Sequence, residues 1–262
     1  MSSPPMLILL LPLALCVLMV GAVVLGRRIA IWQIAVLGRK SEEGISAIDG
    51  AVLGLLGLLL AFAFGMAGDH LQTRRNLIVN EANAIGTAWL RIDCLPVADQ
   101  PPMREHFRQY LEARLRQTPG RLSTAEQPTL AAVTSRLRAA IWQRAVAAQP
   151  GCVTPQAGAL VIEALNTMFD AATSRLAAAN NHLPLPIVWV LMGVAVVASL
   201  LAGIAMGGAP QVNWTTTLIF ALAVSLTVWA IIDLELPRYG LIRVDAYDRL
   251  LEDLQADFER AG

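Results

Sequence analysis

Four long runs of this chain contain no Asp, Glu, Lys, Arg or His: Met6 to Gly26, Gly50 to Gly68, Leu185 to Gly207 and Trp214 to Ile232. A helix needs about 20 predominantly apolar residues to cross a hydrocarbon layer ~30 Å thick. Only helices and closed barrels satisfy their backbone polar groups inside that layer. The fold class expected is therefore all-α, with four transmembrane helices and the lipid bilayer as the first partner. Composition agrees, since 56% of the residues are hydrophobic and only 15% charged, against ~25% charged in soluble domains. Twenty basic and twenty acidic residues cancel, so no overall positive field selects nucleic acid.

The first run reads as a span and not as a cleaved leader. Met1-Ser2-Ser3-Pro4-Pro5 supplies no basic segment, the apolar run is too long for a signal core, and Gly26-Arg27-Arg28 resembles a stop. Cys16 follows Leu15 where an acylation site needs a small residue, so it is read as a buried, inert thiol.

The spans divide the chain into a transmembrane hairpin over 1–68 with a basic loop at 27–49, an extramembrane insert over 69–184, a second hairpin over 185–236 and an amphipathic tail over 237–262. The short link 208–213 makes spans three and four antiparallel. By alternation the N-terminus, insert and tail share one side of the membrane.

The insert reads as a helical bundle. Leu71, Ile78, Ala82, Ile85, Trp89 and Ile92 recur by threes and fours, the mark of an apolar helix face. No proline interrupts between Gly50 and Pro96, so span two and this segment are expected to form one rod from about Ile48 to Cys94, roughly 70 Å long at 1.5 Å per residue. A second helix follows Pro101-Pro102 with Met103, Phe107, Tyr110 and Leu111 on one side. A third opens on the capping box Ser123 to Glu126 and carries Leu130, Val133, Leu137 and Ile141. A fourth begins after Pro155 with Leu160, Ala164, Leu165, Met168, Phe169, Ala172 and Leu176.

Opposite the first seam runs a stripe of neutral polar residues, Thr73, Asn76, Asn80, Asn83 and Thr87. Traced back with the same spacing it continues through Asp69, Met66 and Phe62. Two readings stand at this stage: a solvated face, or a pore in which Phe62 and Met66 form an apolar neck and the polar residues a vestibule. Gly50, Gly54, Gly57, Gly65 and Gly68 allow close helix approach, either within one chain or between copies. In both cases span two is expected to be the most protein-enclosed span. Trp32, Trp189, Trp214 and Trp229 fall near membrane interfaces, as aromatic anchors do.

No catalytic or cofactor pattern is present, so the chain is not read as an enzyme. His70, His106 and His182 are scattered and show no metal spacing, and no phosphate loop, G-x-S-x-G or C-x-x-C occurs. Cofactor and metal sites are both read as none. Glu81 and Arg91 are expected to form ion pairs within the bundle or at its surface.

The stretches Ala61-Phe62-Ala63-Phe64, Asn80-Glu81-Ala82-Asn83-Ala84-Ile85-Gly86-Thr87 and Leu90-Arg91 ahead of Leu95-Pro96 resemble a bacterial bestrophin-like membrane family of undefined function. The ending from Ile232-Asp233-Leu234-Glu235 through Pro237, Arg238, Gly240 and Arg243-Val244 is similar to that family's finish after its last span. The resemblance implies two spans, a helical insert, two spans and a tail. It marks Glu81, Asn83, Arg91, Asp233, Glu235, Arg238 and Gly240 as motif positions. True bestrophins are pentameric anion channels with a hydrophobic neck on the second helix, which implies an oligomeric channel with Phe62 and Met66 at the neck. The chain departs from them in lacking the Arg-Asn and Tyr-x-Arg-Trp run and an acidic calcium clasp. A non-conducting scaffold or sensor whose bundle binds a protein is the alternative.

Arg27, Arg28, Arg39 and Lys40 crowd the first loop, and the positive-inside rule then favours an extracytoplasmic insert. Arg74, Arg75, Arg175, Arg238 and Arg243 flank the opposite side, and bestrophins keep the large domain in the cytosol, so sidedness stays open. Cys94 and Cys152 are the insert's two cysteines, and an oxidising compartment would permit a disulfide between them.

Overall fold

The computed structural model describes residues 4–37, 43–117, 126–208, 211–236, 242 and 245–260. Among them all regular structure is helical, and four helices are long and apolar enough to cross a membrane. The chain forms two compact units, Met1–Leu71 with His182–Ile242, and Gln72–Asn181 with Arg243–Gly262.

The first unit holds the spans: α1 (Pro4–Leu37), the first part of α2 (Glu43–Arg91), α6 (Leu185–Ala205) and α7 (Trp214–Glu235). The side chain of Asn213 caps α7 by accepting from Thr216 N, which meets one of the donors left open at a helix start. α1 does not stop at Arg27-Arg28 as expected from the sequence but continues to Leu37. Ile29-Ala30-Ile31-Trp32-Gln33 holds neither proline nor glycine, and arginine is a good helix former, so charge ends the apolar run without ending the helix.

α1 packs along α6 and α7. Its crossing with α6 is close because glycines stand at the contact: a Cβ on Gly26 would strike Leu200 O, one on Gly203 would strike Val23 O, and one on Gly207 would strike Ala30. In lipid, where burial away from water adds no drive between helices, such backbone approach supplies the packing. The close helix contact expected at the glycines of span two is thus made, within one chain, at Gly26, Gly203 and Gly207.

The second unit comprises the remainder of α2, α3 (Gln100–Arg116), α4 (Gln127–Ala148), α5 (Pro155–Asn180) and α8 (Asp245–Arg260). α2 is one continuous helix of 49 residues, closed by a 3-10 turn at Ile92–Cys94. Its apolar seam is buried, and Ala82, Ile85, Trp89 and Ile92 share one core with Met103, Phe107, Tyr110 and Leu111 of α3, Ile141 of α4, and Leu165 and Met168 of α5. Val133, Leu160 and Leu176, expected on buried faces, are exposed, and the adjacent Thr134, Val161 and Arg175 take the buried positions instead. The capping residues Ser123 and Thr124 lie outside the described residues. Glu126 is itself the residue before α4, with no side-chain cap. α5 begins with Thr154 accepting from Ala157 N.

The amphipathic tail helix α8 belongs to this unit. Leu251 and Phe258 are buried in the core, and the Phe258 ring stacks on Trp89 at 3.8 Å. Spacing of three and four among Leu251, Leu254 and Phe258 puts one apolar stripe on the helix, and that stripe is what the core covers.

Candidate functional site

Span two is the least covered of the four. Within the chain only 17% of its apolar window is buried, against 44% for span four. Leu53, Leu55, Leu58, Phe62, Phe64 and Met66 are exposed, and added Cβ atoms at Gly50, Gly54, Gly57, Gly65 and Gly68 would meet open space. The expectation that span two is the most enclosed is therefore reversed at the level of one chain. α1 packs against α6 and against α7, with small residues at its contact with α6, while the glycine face of α2 has open space beside it.

In the second unit Thr73, Asn76, Asn80, Asn83 and Thr87 are exposed along α2, and in the first unit Phe62, Met66 and Asp69 are exposed on one face of that helix. At about 100° per residue the glycine row lies roughly a quarter turn to one side of it. In the second unit the stripe borders an open groove of about 600 Å³, whose α2 wall carries Asn80, Asn83, Thr87 and Arg91 and whose α5 wall carries Glu163, Thr167 and Asp170. The Arg91 guanidinium donates to Leu160 O, which fixes that end of the groove.

Glu81 lies on the other face of α2, in the core. It is fully buried and receives Arg114 Nε on Oε1 at 2.6 Å and Arg175 Nη1 on Oε2 at 2.7 Å. Burial alone would push this carboxyl up. The two guanidiniums together outweigh that and hold it below the usual carboxylate range. The signal was readable: Glu81 falls three after Ile78 and four before Ile85, on an apolar face, as does Arg114 after Tyr110 and Leu111. Tyr110 beside them is also buried, and desolvation pushes its phenol up to about 12, with Arg114 pulling the other way and Glu81 adding to the rise. Of the motif positions, Glu81 thus acts inside the bundle, while Asn83 and Arg91 line the groove.

Asp233 and Glu235 close α7 within the first unit, and both are buried. Glu235 Oε1 accepts from His70 Nδ1 at 2.7 Å, and its Oε2 accepts from Leu183 N at 3.3 Å with His182 Nδ1 standing 3.6 Å away. Asp233 Oδ2 accepts from Ile242 N at 3.0 Å. His70 and His182, scattered along the sequence, are brought by the fold to one carboxylate. Arg238 and Gly240 lie outside the described residues. Cys94 and Cys152 are free thiols, so the disulfide considered from the sequence is not formed; the Cys152 sulfur is directed at Ala148 O. Among the described residues no group of three or more His, Cys, Asp or Glu could hold a metal ion.

Comparison with known proteins places this architecture. A family model described as a Bestrophin-like domain matches residues 13–247. No curated protein matches the chain. Solved structures of a bacterial bestrophin homologue from Klebsiella pneumoniae share the fold. One covers 95% of this chain and 98% of its own at 15% identity and TM-score 0.70. A tryptophan-to-alanine variant of the homologue gives 94% and 97% coverage at 15% identity and TM-score 0.70. A leucine-to-threonine variant gives 97% and 99% at 16% identity and TM-score 0.68. With a family match over nearly the whole length and the four-span helical fold beside it, the chain belongs to the Bestrophin-like family of membrane proteins.

Proposed function

We propose that this membrane protein works as an oligomeric ion channel in the cell membrane, with span two of each copy at the conduction path. The observation that carries the reading is the uncovered face of span two: its glycine row has open space beside it, and Phe62 and Met66 project from the chain. Glycine faces in lipid are where helices meet, so the row fits contact with a neighbouring copy. A quarter turn away, Phe62 and Met66 would then approach a common axis as an apolar neck. The polar stripe from Asp69 to Thr87 would line the wider vestibule beyond. Bulky apolar constrictions gate water and ions by dewetting.

Ion flux from liposomes containing the purified protein tests this directly. Phe62→Ala and Met66→Ala, which widen the neck, are expected to raise flux several-fold over the wild type. Flux equal to that of protein-free liposomes for all three proteins overturns the reading and leaves the scaffold alternative. The two readings of sidedness are separated by labelling intact cells with a membrane-impermeant thiol reagent. Labelling of Cys94 and Cys152 without lysis places the insert outside, and protection until lysis places it in the cytosol.

A further inference from the structure

In the first unit α2 presents one ionisable residue on the face that carries the apolar neck residues. Phe62, Met66 and Asp69 are all exposed there. Seven residues at about 100° and 1.5 Å each place Asp69 within roughly 20° of Phe62 and about 10 Å further along the helix. No residue from Gly50 to Gly68 can carry charge, so Asp69 is the first side chain beyond the apolar run that does. Its neighbour His70 is engaged elsewhere, on Glu235 at the end of α7. Taken by itself, the second unit shows the same sign beside its polar stripe. Glu163 and Asp170 line the groove there, with Arg91 the one cation among the lining residues, and that guanidinium donates to Leu160 O.

We propose that the path selects cations and that Asp69 is its specificity-determining residue, repeated once per copy as a ring of carboxylates at the end of the apolar neck. The inference rests on the channel reading above and adds the class of ion to it. Rings of Asp or Glu serve cation channels, whereas rings of Arg or Lys line anion pores. A fixed charge at the mouth of a low-dielectric passage raises the local concentration of the opposite ion and depresses that of its own sign. The amides and hydroxyls of Thr73, Asn76, Asn80, Asn83 and Thr87 offer donors and acceptors alike, so they accommodate ions of either sign and leave the choice to Asp69. A ring needs more than one copy, so the site is incomplete in the single chain. The selectivity is the reverse of the anion conduction that resemblance to bestrophins implies.

Reversal potentials across planar bilayers holding the full chain in asymmetric KCl test the assignment, for wild type, Asp69→Asn, Asp69→Lys and Asp69→Glu. The wild type is expected to reverse toward the potassium equilibrium potential. Asp69→Asn is expected to lower the potassium-to-chloride permeability ratio about tenfold, the low end of what a focused charge produces. Asp69→Lys is expected to lower it further, and Asp69→Glu to keep it. Absence of conductance in the wild type overturns the channel reading and this inference with it. A conducting wild type that favours chloride, or a ratio that Asp69→Asn and Asp69→Lys leave unchanged, overturns the role of Asp69 and leaves the channel standing. If the variants do not fold, the sign of the wild-type reversal potential alone decides whether the path selects cations.

Discussion

At the scale of single residues, the most consequential position outside the membrane is Glu81. A buried carboxylate between two guanidiniums is weak evidence of net stabilisation, because desolvating three charges offsets much of their attraction. Removing the centre of the triad is another matter, since it takes the shared carboxylate away from two buried guanidiniums, Arg114 and Arg175. Glu81→Gln is expected to cost about 3–5 kcal/mol, read as a lower chemical-unfolding midpoint of the full chain in detergent. The pH dependence follows from the lowered carboxyl. Its contribution is present above the ordinary carboxylate value and is lost as pH falls through the depressed one, so the wild type should show an acid-induced loss of bundle stability that Glu81→Gln lacks. An identical acid profile in the two proteins would show that the triad does not set it.

At the scale of elements, two sets of glycines do different work. Gly26, Gly203 and Gly207 are occupied positions, where an added side chain meets backbone or Ala30 of a neighbouring span. Gly57 and its row on span two are vacant positions in the single chain. Gly203→Leu is therefore expected to break the α1–α6 contact and lower the melting temperature, with a penalty above the ~1–3 kcal/mol typical of overpacking. Gly57→Leu is expected to leave the single chain's helicity and melting intact while altering the size of the detergent-extracted particle. Equal effects of both substitutions on melting would remove the distinction.

The same contrast shows which parts of the fold were legible. The spans, the continuous α2 and the seam from Leu71 to Ile92 followed from charge-free length and a 3.6-residue period, which are local properties. Which glycines touch a neighbour was not legible, because G-x-x-x-G spacing describes a helix face and says nothing of what lies against it. The extension of α1 past Arg27-Arg28 was missed for a related reason: a membrane boundary in hydropathy need not be a boundary in backbone geometry.

On the scale of the whole molecule, family membership and fold are established and the channel activity is the proposal. The stripe on α2 could be read from spacing alone, but its exposure could not, and exposure is what separates a lining face from a packed one. The convergence of His70 and His182 on Glu235 was invisible in sequence because the three residues lie far apart along the chain and meet only when the ends of the spans are assembled.

The central claim is that span two is uncovered in one chain because other copies cover it. Native mass measurement of the detergent-extracted protein tests this most directly: the account predicts a single species containing several 28.1 kDa chains. A folded, fully helical particle with the mass of one chain would contradict it.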